Sequence, residues 1–341
     1  MIMSTSPPSP AKDRADIQGL DAALRPQKWN EFVGQERIKK NLRILVDAAK
    51  GRHDPIEHIL LGGPAGLGKT TLAHLIAREM ETSVKITSGP AIERVGDLAS
   101  LLTNLQPHEI LFIDEVHRLS KLIEEVLYPA MESRVLDIMI GKGPSARTIQ
   151  LELPPFTLIA ATTRIGMLSS PLRSRFGNTF RFEFYTPEEL VRILIRSAGV
   201  LGVSLDSEAA TLLARSCRAT PRVANRLLKR CRDWAQVHGN TAITRSVVTD
   251  TLALMEIDGQ GLEPMDRRIM SVIVEKFAGG PVGLQALAAA SAEEEDTIVE
   301  VYEPYLMRLG FIERTPRGRM VTELAYQHLG ISSARQQPLI S

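Results

Sequence analysis

The apolar positions of this 341-residue chain change period twice. Up to about residue 185, short unbroken apolar runs alternate with stretches spaced at three and four residues. An unbroken run reads as a strand buried on both faces, and the wider spacing as an amphipathic helix. By this test Ile59-Leu60-Leu61, Ile110-Leu111-Phe112-Ile113 and Phe156 through Ala161 are buried strands; Val84-Lys85-Ile86-Thr87 and Thr179 to Tyr185, which mix polar and apolar residues, read as further strands, the last closing the series. One helix runs from Gln35 to about Lys50, with Ile38, Leu42, Leu45 and Val46 on one face. A second carries Leu72, Leu75, Ile76 and Met80; others span Asp97 to Leu105 and Glu124 to Met131. Strands alternating with helices predict an α/β fold with a parallel sheet.

From Thr186 to about Met255 the pattern is helical throughout. Pro187 takes a first helical position, and further helices span Ala209 to Ala214, Pro221 to Val237 and Thr244 to Leu254. Beyond the Gly259-Gln260-Gly261 linker come helices over Asp266–Phe277, Leu284–Ala290 and Glu293–Leu309. Ser291 and Glu294 have capping-box spacing, and Pro304 predicts a kink. Two short strands then flank Pro316-Arg317-Gly318. Three helices followed by a hairpin are the layout of a winged-helix DNA-binding module. The organisation expected is a tail over residues 1–20 and domains over 21–185, 186–256 and 257–336. Met1 to Ala15, rich in Ser and Pro and without an apolar core, reads as a disordered tail rather than a secretory signal.

One hairpin stands apart. Residues 136–151 hold two alternating runs around Gly141-Lys142-Gly143-Pro144, with more apolar residues than a free hairpin needs. The excess fits a partner surface or packing against the parent domain.

Composition narrows the partners. Net charge is +1, so no global field draws the chain onto nucleic acid, and any DNA contact must come from a local cluster. Residues 186–255 carry 10 Lys/Arg against 6 Asp/Glu, and residues 256–341 carry 8 against 13. Two cysteines, Cys217 and Cys231, give neither metal spacing nor a disulfide framework, which suits a reducing cytoplasm. No apolar run reaches membrane-spanning length.

The chemistry centres on Gly63-Pro64-Ala65-Gly66-Leu67-Gly68-Lys69-Thr70-Thr71, a phosphate-binding loop between a strand and a helix. Its glycines let backbone N–H groups approach phosphate oxygens, and the helix start adds partial positive charge. Lys69 would reach the β- and γ-phosphates and the Thr70 hydroxyl would hold Mg²⁺. The strand ending in Asp114-Glu115 places two acids where ligands sit in parallel sheets. Asp114 would hold Mg²⁺ and Glu115 would orient and polarise the attacking water. The strand over 156–161 ends in Thr162-Thr163-Arg164, so a polar group there could sense the γ-phosphate. Arg173 and Arg175 follow in a turn, either solvated or serving phosphoryl transfer. Arg222 stands in the first turn of a helix, where a cation is unfavourable unless an anion lies nearby. Arg314, Arg317 and Arg319 concentrate charge around the last hairpin, and two readings stay open: phosphate contact or a solvated turn.

The ordered set of Leu24-Arg25-Pro26, Val33-Gly34-Gln35, the phosphate loop, Leu111 through Leu119, Ala161-Thr162-Thr163-Arg164, Ser170 through Gly177, Thr220-Pro221-Arg222 and Arg314 through Arg319 resembles the RuvB family. The resemblance runs from about Leu24 to Gly330. It implies an AAA+ ATPase with a small helical lid and a winged-helix head, using ATP and Mg²⁺ to drive branch migration of Holliday junctions. It implies a homohexameric ring on duplex DNA that works with RuvA, held through the 136–151 hairpin, and with the RuvC resolvase, in the cytoplasm. By position, Leu24, Arg25 and Tyr185 would line the base and ribose; Gly66, Gly68, Lys69, Thr70 and Thr71 would hold the phosphates. Thr162 and Arg222 would be the two sensors, and Arg175, ahead of Arg173, the finger reaching a neighbour's ATP. Arg314 and Arg319 would meet the DNA backbone.

The chain departs from the family pattern at Pro64-Ala65, at Glu132-Ser133-Arg134, and at Glu295, which replaces a DNA-facing arginine. Two rivals share parts of the pattern. A clamp-loader-like ATPase would lack the arginine hairpin, and a winged-helix regulator using ATP only as a switch would not need both Glu115 and Arg175.

Overall fold

The structure is a computed structural model describing residues 19–140 and 147–332. The Ser/Pro-rich tail, the Gly141-Lys142-Gly143-Pro144 turn and the chain beyond residue 332 lie outside the described residues. The described chain forms two compact units. The first gathers residues up to Gly63, Leu67–Glu183 and Gly199–Gly202; the second gathers Pro64–Gly66, Phe184–Ala198 and residues from Val203 onward.

A five-stranded parallel sheet organises the first unit. Its strands are β1 (Ile59–Gly62), β2 (Val84–Ser88), β3 (Ile110–Asp114), β6 (Thr157–Thr162) and β7 (Asn178–Arg181), in the order β2-β3-β6-β1-β7. The two unbroken apolar runs β1 and β6 are buried at every position because helices cover both faces. The edges β2 and β7 are only half-buried and carry polar residues, as edge strands do. Beyond Arg181, β7 was expected to run on to Tyr185, but the strand pairing stops there, after one further bond from Phe182 N–H to Gly62 O. Helices Glu36–Arg52, Lys69–Glu79, Val95–Thr103 and Lys121–Ser133 lie where the periodicity puts them, with ends shifted by a few residues.

The strands β4 (Val135–Ile140) and β5 (Arg147–Glu152) form the antiparallel hairpin, with Leu136 opposite Leu151 and Ile138 opposite Ile149. Leu136, Ile138 and Leu151 join the core beside Leu127 and Phe156, whereas Ile149 is 44% exposed. The base of the hairpin therefore spends much of its apolar excess on its own domain.

In the second unit, helices Pro187–Val200, Ser207–Ser216, Pro221–Val237 and Arg245–Leu254 form the expected bundle. A short parallel pair, β8 (Ser204–Leu205) with β9 (Ala242–Ile243), joins the helix connections, which an all-helical pattern did not foresee. Pro264–Phe277 and Leu284–Ser291 follow. The long third helix breaks into Glu295–Thr297, a π-turn over Ile298–Tyr302, and Glu303–Arg308. The wide turn comes immediately before Pro304, whose ring and missing N–H cannot continue a regular ladder. The expected capping box is absent: Ser291 ends the preceding helix, and its hydroxyl donates to Leu287 O at 2.7 Å. Glu294 takes the cap position without a side-chain bond. The wing is β10 (Ile312–Thr315) paired with β11 (Gly318–Val321) across a Pro316-Arg317 turn, and Val282 bonds Arg319 as a third edge.

Candidate functional site

Register sets the catalytic edge of the first unit. Gly62 of β1 pairs with Thr162 of β6, and Ile113 of β3 pairs with Ala160. The carboxyl ends of three adjacent strands are thus level, and the phosphate loop, Asp114-Glu115 and Thr162-Thr163 emerge side by side.

The loop is shaped as an anion cradle. Gly63, Gly66 and Gly68 have φ of 140°, 83° and 99°, values that L side chains rarely adopt. A Cβ on Gly63 would sit 2.9 Å from Phe182 O, so the backbone there has no room for a side chain. Lys69 opens the helix, is 7% exposed, and donates from Nζ to Gly63 O at 2.7 Å. Thr70 and Thr71 in the same turn are half-buried. These residues fit a nucleotide's phosphates: curled backbone, a helix start and an ammonium already folded over the loop. They also fit Mg²⁺. Among the described residues no cluster of three His, Cys, Asp or Glu exists, so Thr70 and Asp114 would leave most of a metal's shell to phosphate oxygens and water, as that ion prefers.

Glu115 has φ 49° and ψ 44°, a left-handed conformation uncommon outside glycine. Its N–H donates to Asp114 Oδ1 at 3.0 Å, and Arg118 Nε lies 3.6 Å from its carboxylate. Such strain persists where the surrounding structure fixes it, typically at working sites.

Thr162 and Thr163 differ in what their hydroxyls can do. Thr162 is fully buried; its Oγ lies 3.0 Å from His117 Nδ1 and accepts the Arg164 N–H at 2.9 Å. The Thr163 hydroxyl is buried with no hydrogen-bond partner among the described residues. His117 and Thr163 were visible in the sequence only as parts of motifs, without a role.

The two arginines of the 170–176 segment separate. Ser170–Ser174 is a short helix; Arg173 is exposed. Arg175 folds back: its guanidinium lies 4.4 Å over the Tyr128 ring, Nη1 donates to Pro171 O at 2.8 Å, and Nε is 3.1 Å from Glu132 Oε1. Leu24 is buried and Arg25 exposed in the same unit.

In the second unit, Arg222 is exposed in the first turn of its helix, and its N–H donates to Gly66 O at 3.3 Å. Tyr185 is buried, with its N–H on Ala219 O at 3.0 Å. In the wing, Arg314 and Arg319 face each other across the hairpin. Like charges so placed repel. The carboxylate of Glu303, 2% exposed, resolves this by accepting from both, with Arg319 Nε at 2.9 Å. Arg317, at the turn, is exposed, and of the three wing arginines it is the one that does not pair with Glu303. Glu303 had no signal in the sequence, because its partners lie 11 and 16 residues further on, past the end of its helix and into the wing. Among the described residues no helix is long and apolar enough to cross a membrane.

Comparison with known proteins agrees with this layout. Residues 24–182 match a model of the Holliday junction DNA helicase RuvB P-loop domain. Residues 185–258 match the RuvB AAA lid domain, and residues 259–330 the RuvB C-terminal winged helix domain. The Holliday junction branch migration complex subunit RuvB of Dehalococcoides mccartyi is 58% identical over 316 residues, covering 93% of this chain and 90% of that one. The solved Holliday junction branch migration motor RuvB of Thermotoga maritima superposes with a TM-score of 0.84 at 48% identity, covering 91% of this chain and 99% of that one. A lysine-to-arginine mutant of the same Thermotoga protein gives 0.85 at the same identity and coverage. Phosphate loop, lid and arginine wing in one chain, matched by family models from residue 24 to 330 and by a relative over 93% of its length, mean that the chain belongs to the RuvB family of AAA+ proteins.

Proposed function

We propose that the chain is the ATP-hydrolysing motor that drives branch migration of Holliday junctions, working with RuvA on duplex DNA. One observation carries this reading above the rivals: the level alignment of Lys69, Asp114 and Glu115 at one sheet edge, in a chain that also bears a basic wing. A clamp loader lacks the wing, and a nucleotide switch has no use for a strained glutamate beside the phosphate loop.

When bound, the magnesium nucleotide supplies the phosphoanhydride whose cleavage drives the motor and the metal charge that offsets the transition state. The chain's own residues do the rest. Gly66, Gly68, Thr71 and the start of the Lys69 helix bind phosphate oxygens through N–H groups, with Leu24, Arg25 and Tyr185 on the base and ribose side. Lys69, whose ammonium now donates to Gly63 O, would turn to a phosphate oxygen, and Thr70 with Asp114 would hold the metal. Glu115 orients the attacking water and draws its proton toward a carboxylate oxygen. Thr163, with its hydroxyl uncommitted, is the better placed of the two threonines to read the γ-phosphate, while Thr162 braces His117. Arg222 serves as the second sensor, its N–H already on the loop at Gly66 O.

In a homohexameric ring Arg175 would leave Glu132 and Tyr128 to stabilise charge on a neighbour's nucleotide, so that hydrolysis depends on assembly. Arg317, with Arg314 and Arg319 fixed by Glu303, would track phosphates without reading bases, as a motor crossing any sequence must. The 136–151 hairpin would offer its outer face to RuvA, and the RuvC resolvase would act on the DNA that the ring moves. The setting is a cytoplasmic one.

The test is ATP hydrolysis and strand exchange on a four-way junction with RuvA, for the wild type and Glu115→Gln. Wild-type turnover stimulated by junction and RuvA, with exchange lost in Glu115→Gln, supports the motor. Hydrolysis without any strand movement would return the clamp-loader reading.

A further inference from the structure

We propose that Arg218 is the positioning residue that ties the nucleotide-sensing loop to the DNA-binding module. This deepens the motor reading and rests on it. The loop over residues 217–220 joins helix Ser207–Ser216 to helix Pro221–Val237, whose first turn holds Arg222. On one side it reaches the phosphate loop: Arg222 N–H donates to Gly66 O, and a Cβ on Gly66 would meet Arg222 Cβ at 3.0 Å and Thr220 Cβ at 3.7 Å. Ala219 O meanwhile accepts the Tyr185 N–H. On the other side the Arg218 side chain enters the winged-helix module. It pairs with Asp266, donates from Nη2 to Val301 O at 2.9 Å, and lies 4.9 Å from the Tyr305 ring centre.

Three observations mark this as a built joint. First, Arg218 and Ala219 are consecutive non-glycine residues at φ of 54° and 52°, a strained pair that holds only if its surroundings fix it. Second, Arg218 is 7% exposed and Asp266 fully buried. Burial pushes the Asp266 carboxyl up, the Arg218 charge only partly offsets this, and Asp266 Oδ1 has no hydrogen-bond partner among the described residues. A buried pair left half-satisfied is a poor source of stability, so its geometry is what it contributes. Third, Val301 lies in the π-turn, whose widened ladder offers a carbonyl to Arg218, and the next helix starts at Glu303, the residue that clamps the wing arginines. Gly261 packs its backbone against the residue two before Arg218: at φ 76°, a Cβ on it would lie 2.6 Å from Ser216 O. A displacement of Arg222 with the nucleotide state thus passes through three residues to Arg218, then through Val301 and the π-turn to the Glu303 clamp.

The experiment compares wild type, Arg218→Lys and the paired Arg218→Met/Asp266→Leu variant. Three quantities are measured: basal ATPase, affinity for duplex DNA, and junction strand exchange per ATP consumed with RuvA. If the wild type neither hydrolyses ATP nor moves junctions, the motor reading itself fails. With the wild type active, Arg218→Lys is expected to keep basal ATPase and DNA affinity within about twofold while exchange per ATP falls at least tenfold. The paired variant removes both charges and spares the fold, checked by thermal melting, and should remain uncoupled. Wild-type exchange per ATP in either variant would overturn the proposal, since a merely structural pair is replaceable by apolar packing.

Discussion

Arg175 Nε lies 3.1 Å from Glu132 Oε1, with the guanidinium stacked over Tyr128. The arginine expected to serve a neighbouring subunit is therefore held by its own. Glu132 is 56% exposed, and exposed pairs are worth roughly 0.2–1 kcal/mol, so release is cheap. Glu132→Gln is expected to lower the protein concentration needed for half-maximal ATPase by up to about fivefold, the equilibrium equivalent of that energy. Arg175→Ala should lower the maximal rate by about 10³-fold or more. Full activity in Arg175→Ala would remove the residue from catalysis.

The two threonines at the end of β6 make opposite predictions. Thr163→Val should cut kcat at least tenfold and leave nucleotide affinity nearly unchanged, because its hydroxyl is otherwise uncommitted. Thr162→Val should instead loosen His117 and lower the melting temperature, the cost of a buried hydrogen bond being about 1–3 kcal/mol. Reversed results would give the sensor role to Thr162.

The wing predicts a split between charge and order. Arg317→Ala should weaken duplex binding evenly across sequences and flatten the slope of log affinity against log salt by about 0.9. Glu303→Gln should steepen that slope, because two arginines lose their shared counter-ion, while destabilising the fold by about 1–3 kcal/mol. Salt titrations of binding by fluorescence anisotropy, beside thermal melts, check both. An unchanged slope in Arg317→Ala would place the DNA elsewhere.

His58 predicts how stability responds to acid. Leu158 N–H donates to its Nδ1 at 2.9 Å, so Nε2 carries the proton that goes to Met131 O. Burial pushes its pKa down, the Met131 carbonyl opposing and the nearby Arg134 charge adding to the fall. With the folded pKa depressed, the unfolded chain binds the extra proton first. Stability is then complete above the ordinary imidazole value and falls as pH drops through it. His58→Gln, measured by denaturant unfolding from pH 7.5 to 5 (about the range where imidazole titrates), should flatten that fall.

Much of this protein was legible from the sequence by itself. The central strands β1, β3 and β6 announced themselves because strands covered on both faces must be apolar throughout, and their ends carried the phosphate loop and the acids. The lid helices and the wing followed from period and from Pro and Gly punctuation, which are local in the chain. Edge strand β7 was overextended because an edge carries a weaker pattern, and the Ser291 box failed because a buried serine bonds its own preceding turn.

Tertiary structure alone decided who pairs with whom. Glu303 with Arg314 and Arg319, Arg175 with Glu132, Thr162 with His117 and Arg218 with Asp266 join residues from different elements, the last pair 48 positions apart. A sequence shows charge and spacing along one dimension. Which charges lose their water, and therefore must find a partner, is fixed only when the chain closes on itself.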